Sequence, residues 1–488
     1  MARILIAAAK MILLALLLNA CSFAPRHVRP ELPTAARYPD HYVDDPAAGV
    51  RATELGWRDF FADPRLEILI ATALRNNRDL AVAVAQIEEA RGQYRIQRSE
   101  LLPTVALNAQ GTRSGFGADS AALSGVGRAG GIPGATGTGG TGGTFDIYTV
   151  SLGFASFELD FWGRVRNLTT AARAQYLSTV EAARAFRLSL IRDVASAYFA
   201  SLEARERLEL AEATVNSRRE GLRIAQRRLD AGVTSALDFR QAETLLTQAE
   251  TELAALKFTQ AQNEDLLATL VGRTPPETLP EPLKLAEQSR SQTLAAGLPS
   301  DLLSNRPDIV GAEHRLRAAH ANVGAARAAY FPLITLTGSY GYASNELSSL
   351  VGNDRRSWSF GPSISLPIFD FGARSGGVTV ALARQNIAVA DYERTIQTGF
   401  QEVSDALAGR KFLAEQVAAQ ERATRAQRQL AELAHLRYNE GVASYLEVLD
   451  AERNLFSAEQ DLLQVRRAEV SNLVSLYIAL GGGQLETR

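Results

Sequence analysis

Between residues 164 and 229 apolar or small side chains recur in steps of three, four and seven. They stand at Tyr176, Val180, Ala183, Leu190, Val194, Ala197, Ala204, Leu208, Ala211, Val215, Leu222, Ala225 and Leu229. That spacing is the seam of a coiled coil. No proline falls between Trp162 and Thr274, and none follows Pro367. The pattern therefore predicts a helix from about Arg164 to Arg228, roughly 100 Å long at 1.5 Å per residue. Many seam positions are alanine, so neighbouring helices can approach closely. A compact globule has no use for such a helix; a tube crossing a periplasm does.

Other stretches alternate with period two. Ser357–Leu366 sets Trp358, Phe360, Pro362, Ile364 and Leu366 against Ser357, Ser359, Gly361, Ser363 and Ser365. Ile147–Glu158 puts Tyr148, Val150, Leu152 and Phe154 on one face; Thr104–Gln110 and Leu333–Tyr342 alternate more weakly. Alternation of apolar with small polar residues describes transmembrane β-strands facing lipid on one side and a wet lumen on the other. Strands are expected at 103–113, 145–158, 332–343 and 357–369. Four strands cannot close a barrel, and an open edge in lipid leaves backbone groups unsatisfied. Subunits must pool strands, giving barrels of about 8, 12 or 16.

The architecture is written twice. Residues 228–272 and 437–481 match without gaps at a constant offset of 209, including Arg228/Arg437, Gly232/Gly441, Val233/Val442, Ser235/Ser444, Leu237/Leu446, Asn263/Asn472 and Gly272/Gly481. Leu102-Pro103-Thr104-Val105 likewise matches Phe331-Pro332-Leu333-Ile334. Residues 64–272 and 307–481 are thus two copies of one unit, joined by a connector at 273–306 and followed by a tail at 482–488. The chain reverses at Asp230–Ser235 and Asn439–Ser444. There a glycine suits positive φ, and Ser235 or Ser444 can cap the returning helix. Arg306-Pro307-Asp308 reads as a helix start, with proline at the first helical position and aspartate at the positive end of the dipole.

Composition sharpens this picture at the N-terminus. A basic start at Arg3 and Lys10, the apolar run Met11–Leu18 and Leu18-Asn19-Ala20-Cys21 describe a secretory signal over residues 1–20. The sole cysteine, Cys21, stands where a bacterial lipobox places its acylated residue, so diacylglycerol and palmitate are expected on it, ahead of an extended segment at 21–63. Ser22 in place of aspartate sends such lipoproteins to the outer membrane. A single cysteine also excludes a disulfide framework, and a net charge of −2 removes any bulk electrostatic case for nucleic acid.

Catalytic chemistry is not indicated. Gly125–Gly130 matches GxGxxG literally, but it lies in the glycine-rich stretch 111–144 between two β-like flanks, where no helix opens at the third glycine. That stretch reads as an extracellular loop with the shorter 343–356 as its counterpart. His27, His41, His314, His320 and His435 form no metal or triad spacing and are expected on the solvated surface. Neither a metal nor a cofactor is expected.

The run Leu298-Pro299-Ser300-Asp301-Leu302-Leu303, then Arg306-Pro307-Asp308-Ile309 and Ala312-Glu313, resembles RND-type outer-membrane efflux lipoproteins, the TolC-like factors. So do Phe331-Pro332, Trp57-Arg58-Asp59-Phe60-Phe61-Ala62-Asp63-Pro64 and Tyr477…Gly481-Gly482-Gly483. The resemblance covers essentially the whole mature chain. It implies a mainly α fold with a small transmembrane β part: a homotrimer whose twelve-stranded barrel continues into a periplasmic helical tunnel, with the connector in an equatorial collar. It also implies an inner-membrane RND pump and a periplasmic adaptor (membrane fusion protein) as partners. The same resemblance places Glu447 and Asp450 at a closed periplasmic entrance, with Leu446 nearby as a plug; three residues apart on one helix face, the carboxylates would stack as two rings in a trimer. It further implies adaptor docking at the tips, at Arg228, Gly232, Val233, Ser235, Arg437, Gly441, Val442 and Ser444. A type I protein-secretion conduit of the same fold is the competing expectation.

Overall fold

The computed structural model describes residues 23–39, 41–42, 49–116, 143–273, 279–288 and 294–486. Cys21, the signal segment, Gly125–Gly130 and part of the connector lie outside them. In chain order come α1 (Pro64–Asn76), α2 (Arg78–Ser99), β1 (Val105–Phe116), β2 (Gly143–Glu158), α3 (Arg164–Asp230) and α4 (Ala236–Val271). Then follow α5 (Pro307–Ala328), β3 (Leu333–Ser344), β4 (Arg356–Ser365), α6 (Ala373–Asn439) and α7 (Tyr445–Ala479). The duplication is visible in the lengths: α2 and α5 have 22 residues each, α3 and α6 have 67 each, and α4 and α7 have 36 and 35. No described helix is long and apolar enough to cross a membrane.

The chain divides into two units. The first comprises Met1–Val28, Ala90–Tyr176 and Arg315–Ala388 and carries an antiparallel sheet in the order β1-β2-β3-β4. All four expected strands form. The fourth stops at Ser365 rather than 369, because its partner begins at Leu333, opposite Ser365. Pro332, just before, has no N–H to extend the ladder. A β-bulge interrupts β2 between Phe154 and Phe157, where Ser156 takes φ 60°. Near the ends of the strands Phe23 stacks on Phe331 and Phe331 on Trp162, each at 4.7 Å, while the Trp162 indole donates to the Pro332 carbonyl at 2.9 Å. Ala171, Ala174, Ala318 and Ala321 form a buried alanine cluster. His320 corrects one expectation: it is buried, not solvated, with its ring 5.4 Å from that of His27. Burial, and secondarily His27, lowers its pKa.

The second unit comprises Arg29–Glu89, Leu177–His314 and Val389–Arg488. Along α3 the expected seam is inside: Ala183, Leu190, Val194, Ala197, Ala204, Ala211, Val215 and Ala225 are buried, and the remaining seam positions half-buried. Between Leu188 and Glu203 the buried face widens to include Ile191, Ala195, Tyr198, Phe199 and Leu202. There the Trp57–Asp63 and Leu283–Gln288 segments pack against the helix. The fully buried Asp63 ties them together: it accepts from the Tyr198 hydroxyl at 2.6 Å, the Gln288 amide at 2.9 Å and the Leu283 N–H at 3.0 Å, and caps α1 through the Arg65 N–H. Arg306, ahead of the expected Pro307 start, is buried between Asp308 at 2.6 Å and Glu402 at 2.7 Å. Burial alone would lower its pKa, but those two carboxylates hold it above the usual value.

Helix-hairpin tips as the candidate gate and docking site

Both expected reversals form and share one backbone design. At the first, α3 ends at Asp230, Gly232 takes φ 70°, and the Val233 N–H reaches back to the Arg228 carbonyl at 2.9 Å. At the second, α6 ends at Asn439, Gly441 takes φ 72°, and the Val442 N–H reaches the Arg437 carbonyl at 3.0 Å. Each glycine closes its helix in the left-handed conformation, which satisfies the last carbonyls. Val233 and Val442 then stand exposed at the apex, followed by exposed Leu237 and Leu446.

The side chains diverge from this common frame. Ser235 makes a reciprocal cap, accepting from the Asp238 N–H at 3.2 Å while the Asp238 carboxylate accepts from the Ser235 N–H at 3.3 Å. The Thr234 hydroxyl, at 2.6 Å, is the main reason Asp238 titrates below the usual carboxylate range. Ser444 departs from the expectation: it stands at the cap position but makes no side-chain cap bond. Glu447, the counterpart of Asp238, turns away to Arg437 at 3.1 Å instead. Asp450 pairs with Arg453, also at 3.1 Å. The two carboxylates share a helix face as expected, but each has an arginine partner.

Arg228 differs from its counterpart Arg437. Its guanidinium lies over the Tyr438 ring, 5.1 Å from the centroid, and donates to the Tyr438 hydroxyl. The Tyr438 ring packs 5.2 Å from that of Tyr445, whose hydroxyl sits 2.6 Å from where a side chain on Gly221 would begin. Burial pushes the Tyr445 hydroxyl up to about 12. Nearby, Arg218 is buried, donates to the Leu245 carbonyl at 2.9 Å and lies 5.7 Å from the Phe456 ring centroid; burial lowers its pKa. Arg228, Tyr438, Tyr445 and Gly221 thus fasten the first hairpin to the second.

Sequence reasoning had missed Gly221, Tyr438, Tyr445 and Arg218. At the offset of 209 all four differ from their counterparts, Gly221 from Leu430, Tyr438 from Leu229, Tyr445 from Ala236 and Arg218 from Gln427. Many other pairs at this offset differ too, Ala231/Glu440 and Thr234/Ala443 among them, so the offset alone does not single these residues out. Farther up, the copies agree again: Arg219 meets Glu250 and Arg428 meets Glu459, at 3.2 and 2.6 Å. Among the described residues no cluster of His, Cys, Asp or Glu could hold a metal.

The outer membrane efflux protein family matches residues 69–273 and 298–482. Among similar chains, the antibiotic efflux pump outer membrane protein ArpC of Pseudomonas putida is 41% identical over 474 residues, covering 97% of this chain and 94% of its own. The solvent efflux pump outer membrane protein SrpC of Pseudomonas putida is 41% identical over 471 residues, 96% of each. In structure, the open state of the Neisseria gonorrhoeae MtrE outer membrane channel superposes with a TM-score of 0.84 at 39% identity, over 96% of this chain and 99% of that one.

Proposed function

The chain belongs to the outer membrane efflux protein family, and from that premise we propose that it is the exit duct of a tripartite efflux system. It passes small molecules passively outward from an inner-membrane RND pump through a periplasmic adaptor. Three subunits pool their strands into a twelve-stranded barrel, and Cys21 carries the diacylglycerol and palmitate that anchor the chain to the outer membrane. Work comes from the pump; the duct supplies a wall and a gate.

One observation supports this reading most directly. The four strands carry a continuous face of large apolar side chains in the open, including Leu107, Leu152, Tyr340, Trp358, Phe360 and Ile364. Such a face is stable against lipid. The outer edges of β1 and β4 have no partner strand among the described residues; in lipid those edges must be paired by further copies. The efflux names of the relatives favour this function over protein secretion through the same fold.

At the tips, Leu446, Glu447 and Asp450 form the periplasmic gate. Arg228, Gly232, Val233, Ser235, Arg437, Gly441, Val442 and Ser444 offer the adaptor a repeated rim, in which the apolar Val233 and Val442 are the contact knobs. The purified protein in planar lipid bilayers should give discrete ion currents and run as a trimer; a monomer that stays soluble without detergent and conducts nothing would overturn the reading. Metabolic labelling with palmitate should mark the wild-type chain and not Cys21→Ser.

A further inference from the structure

The two β-hairpins are copies of each other pair by pair. Moving β1 along the sequence by 229 and β2 by 210 carries Val105↔Phe154 onto Ile334↔Ile364, and Leu107↔Leu152 onto Leu336↔Pro362. It also carries Ala109↔Val150 onto Gly338↔Phe360, and Gly111↔Tyr148 onto Tyr340↔Trp358. Each product is a pair that β3 and β4 make. Past the bulge the second shift falls to 209, because β2 holds one residue that β4 lacks; Phe157 then matches Leu366 and Gly163 matches Gly372.

In the order β1-β2-β3-β4, the one seam between hairpins among the described residues is β2–β3. A barrel of identical subunits needs a second kind of seam, from β4 of one copy to β1 of the next. We propose that this seam has the register obtained by moving the β2–β3 seam through the same shifts, an inference that rests on the pooled-barrel reading above. Val150↔Tyr342 becomes Phe360 opposite Arg113 of the adjacent copy. Leu152↔Tyr340 becomes Pro362 opposite Gly111, Phe154↔Gly338 becomes Ile364 opposite Ala109, and Gly153↔Ser339 becomes Ser363 opposite Gln110.

Two features of the chain fit this register. Beyond the bulge, Phe157↔Leu336 becomes Leu366 opposite Leu107, in step with the pairs before it, so the seam between subunits runs without a bulge. Large side chains also meet small ones, with Trp358 opposite Gly115, Pro362 opposite Gly111 and Ile364 opposite Ala109. Inside the chain some pairs do the same, Gly111 facing Tyr148 and Gly338 facing Phe360, while others, such as Leu107↔Leu152 and Tyr340↔Trp358, set large against large, as Leu366 opposite Leu107 does at the new seam. Cross-strand pairs of this kind fix register, since a slip of one residue would turn every side chain to the wrong face.

Cysteine pairs test it, because Cys21 is the only native cysteine. Gln110→Cys with Ser363→Cys probes one face and Ala109→Cys with Ile364→Cys the other, since disulfides favour one class of antiparallel pair. Oxidised in native outer membranes, at least one of these pairs should link chains into dimers and trimers on non-reducing gels. Asn108→Cys or Thr112→Cys with Ser363→Cys should link severalfold less. Stronger linking by either shifted pair overturns the register and leaves the pooled barrel standing. If no pair on either face links, although the single-cysteine variants insert normally, edge pairing between subunits fails and the barrel reading fails with it.

Discussion

Arg437 and Glu447 face each other across the second helical reversal, Nη1 to Oε1 at 3.1 Å, whereas the equivalent arginine of the first copy, Arg228, lies on Tyr438. One residue type at one repeated position thus has two jobs. Arg437 neutralises a carboxylate at its own tip, and Arg228 joins the two tips. Partly exposed ion pairs add little to stability, so the Arg437–Glu447 pair matters for where charge stands in the entrance. With Asp450 on Arg453, the gate proposed at this tip would present alternating signs, not two bare acidic rings.

Glu447→Ala combined with Asp450→Ala should therefore raise single-channel conductance in planar bilayers and alter its ion selectivity, because rings of charge at a constriction set both. Arg437→Ala alone should shift selectivity toward cations by baring Glu447. Conductance and reversal potential unchanged in both variants would remove the gate from this tip.

Asp63 carries the clearest stability prediction. Four donors converge on its carboxylate, from Arg65, Tyr198, Leu283 and Gln288. Asp63→Asn turns one acceptor into a donor among donors, and a buried group left unsatisfied costs about 1–3 kcal/mol. The variant should melt several degrees below wild type in detergent, and Tyr198→Phe should cost less, since it removes a single donor. Equal melting temperatures for Asp63→Asn and wild type would show that the hub holds nothing.

The long helices, the reversals, the strands and the duplication were all legible because each is written in a period or a repeat. Gly232 and Gly441 announced their turns, and the alternation around Trp358 announced its strand. Asp63 was visible only as part of a motif, since its partners Tyr198 and Gln288 are remote in sequence and carry no period. The same remoteness hid His27 against His320. Ser444 looked like Ser235 but makes no side-chain cap bond: the Glu447 N–H goes to the Ser444 carbonyl, and the Glu447 carboxylate goes to Arg437. Local likeness predicted the backbone there; the choice of ion partner required the fold.

His320 gives a pH dependence of definite sign. Burial, with His27 as a lesser cause, lowers its pKa in the folded chain below the ordinary value of 6.5. As pH falls through 6.5 the unfolded chain takes the proton first, so this contribution to stability is intact above 6.5 and is lost progressively below it. His320→Phe keeps a ring and removes the titration. The melting temperature of wild type should fall more than that of the variant between pH 7.5 and 5; parallel curves would show that His320 does not titrate on unfolding.

The fastening between hairpins can be tested by a paired substitution. Gly221 lacks a side chain because the Tyr445 hydroxyl occupies the place where one would begin, at 2.6 Å. Gly221→Ala should push Tyr445 outward, draw Tyr438 away from Arg228 and loosen the tip. Open-duct conductance should then appear without an adaptor, and cells should become sensitive to antibiotics too large for the closed entrance. Tyr445→Phe removes the oxygen and keeps the ring, so adding it to Gly221→Ala should restore much of the closed state. Coupling of this kind is expected only between groups in contact. If the second substitution adds to the leak of the first, the two residues act separately and the fastening lies elsewhere on the helices.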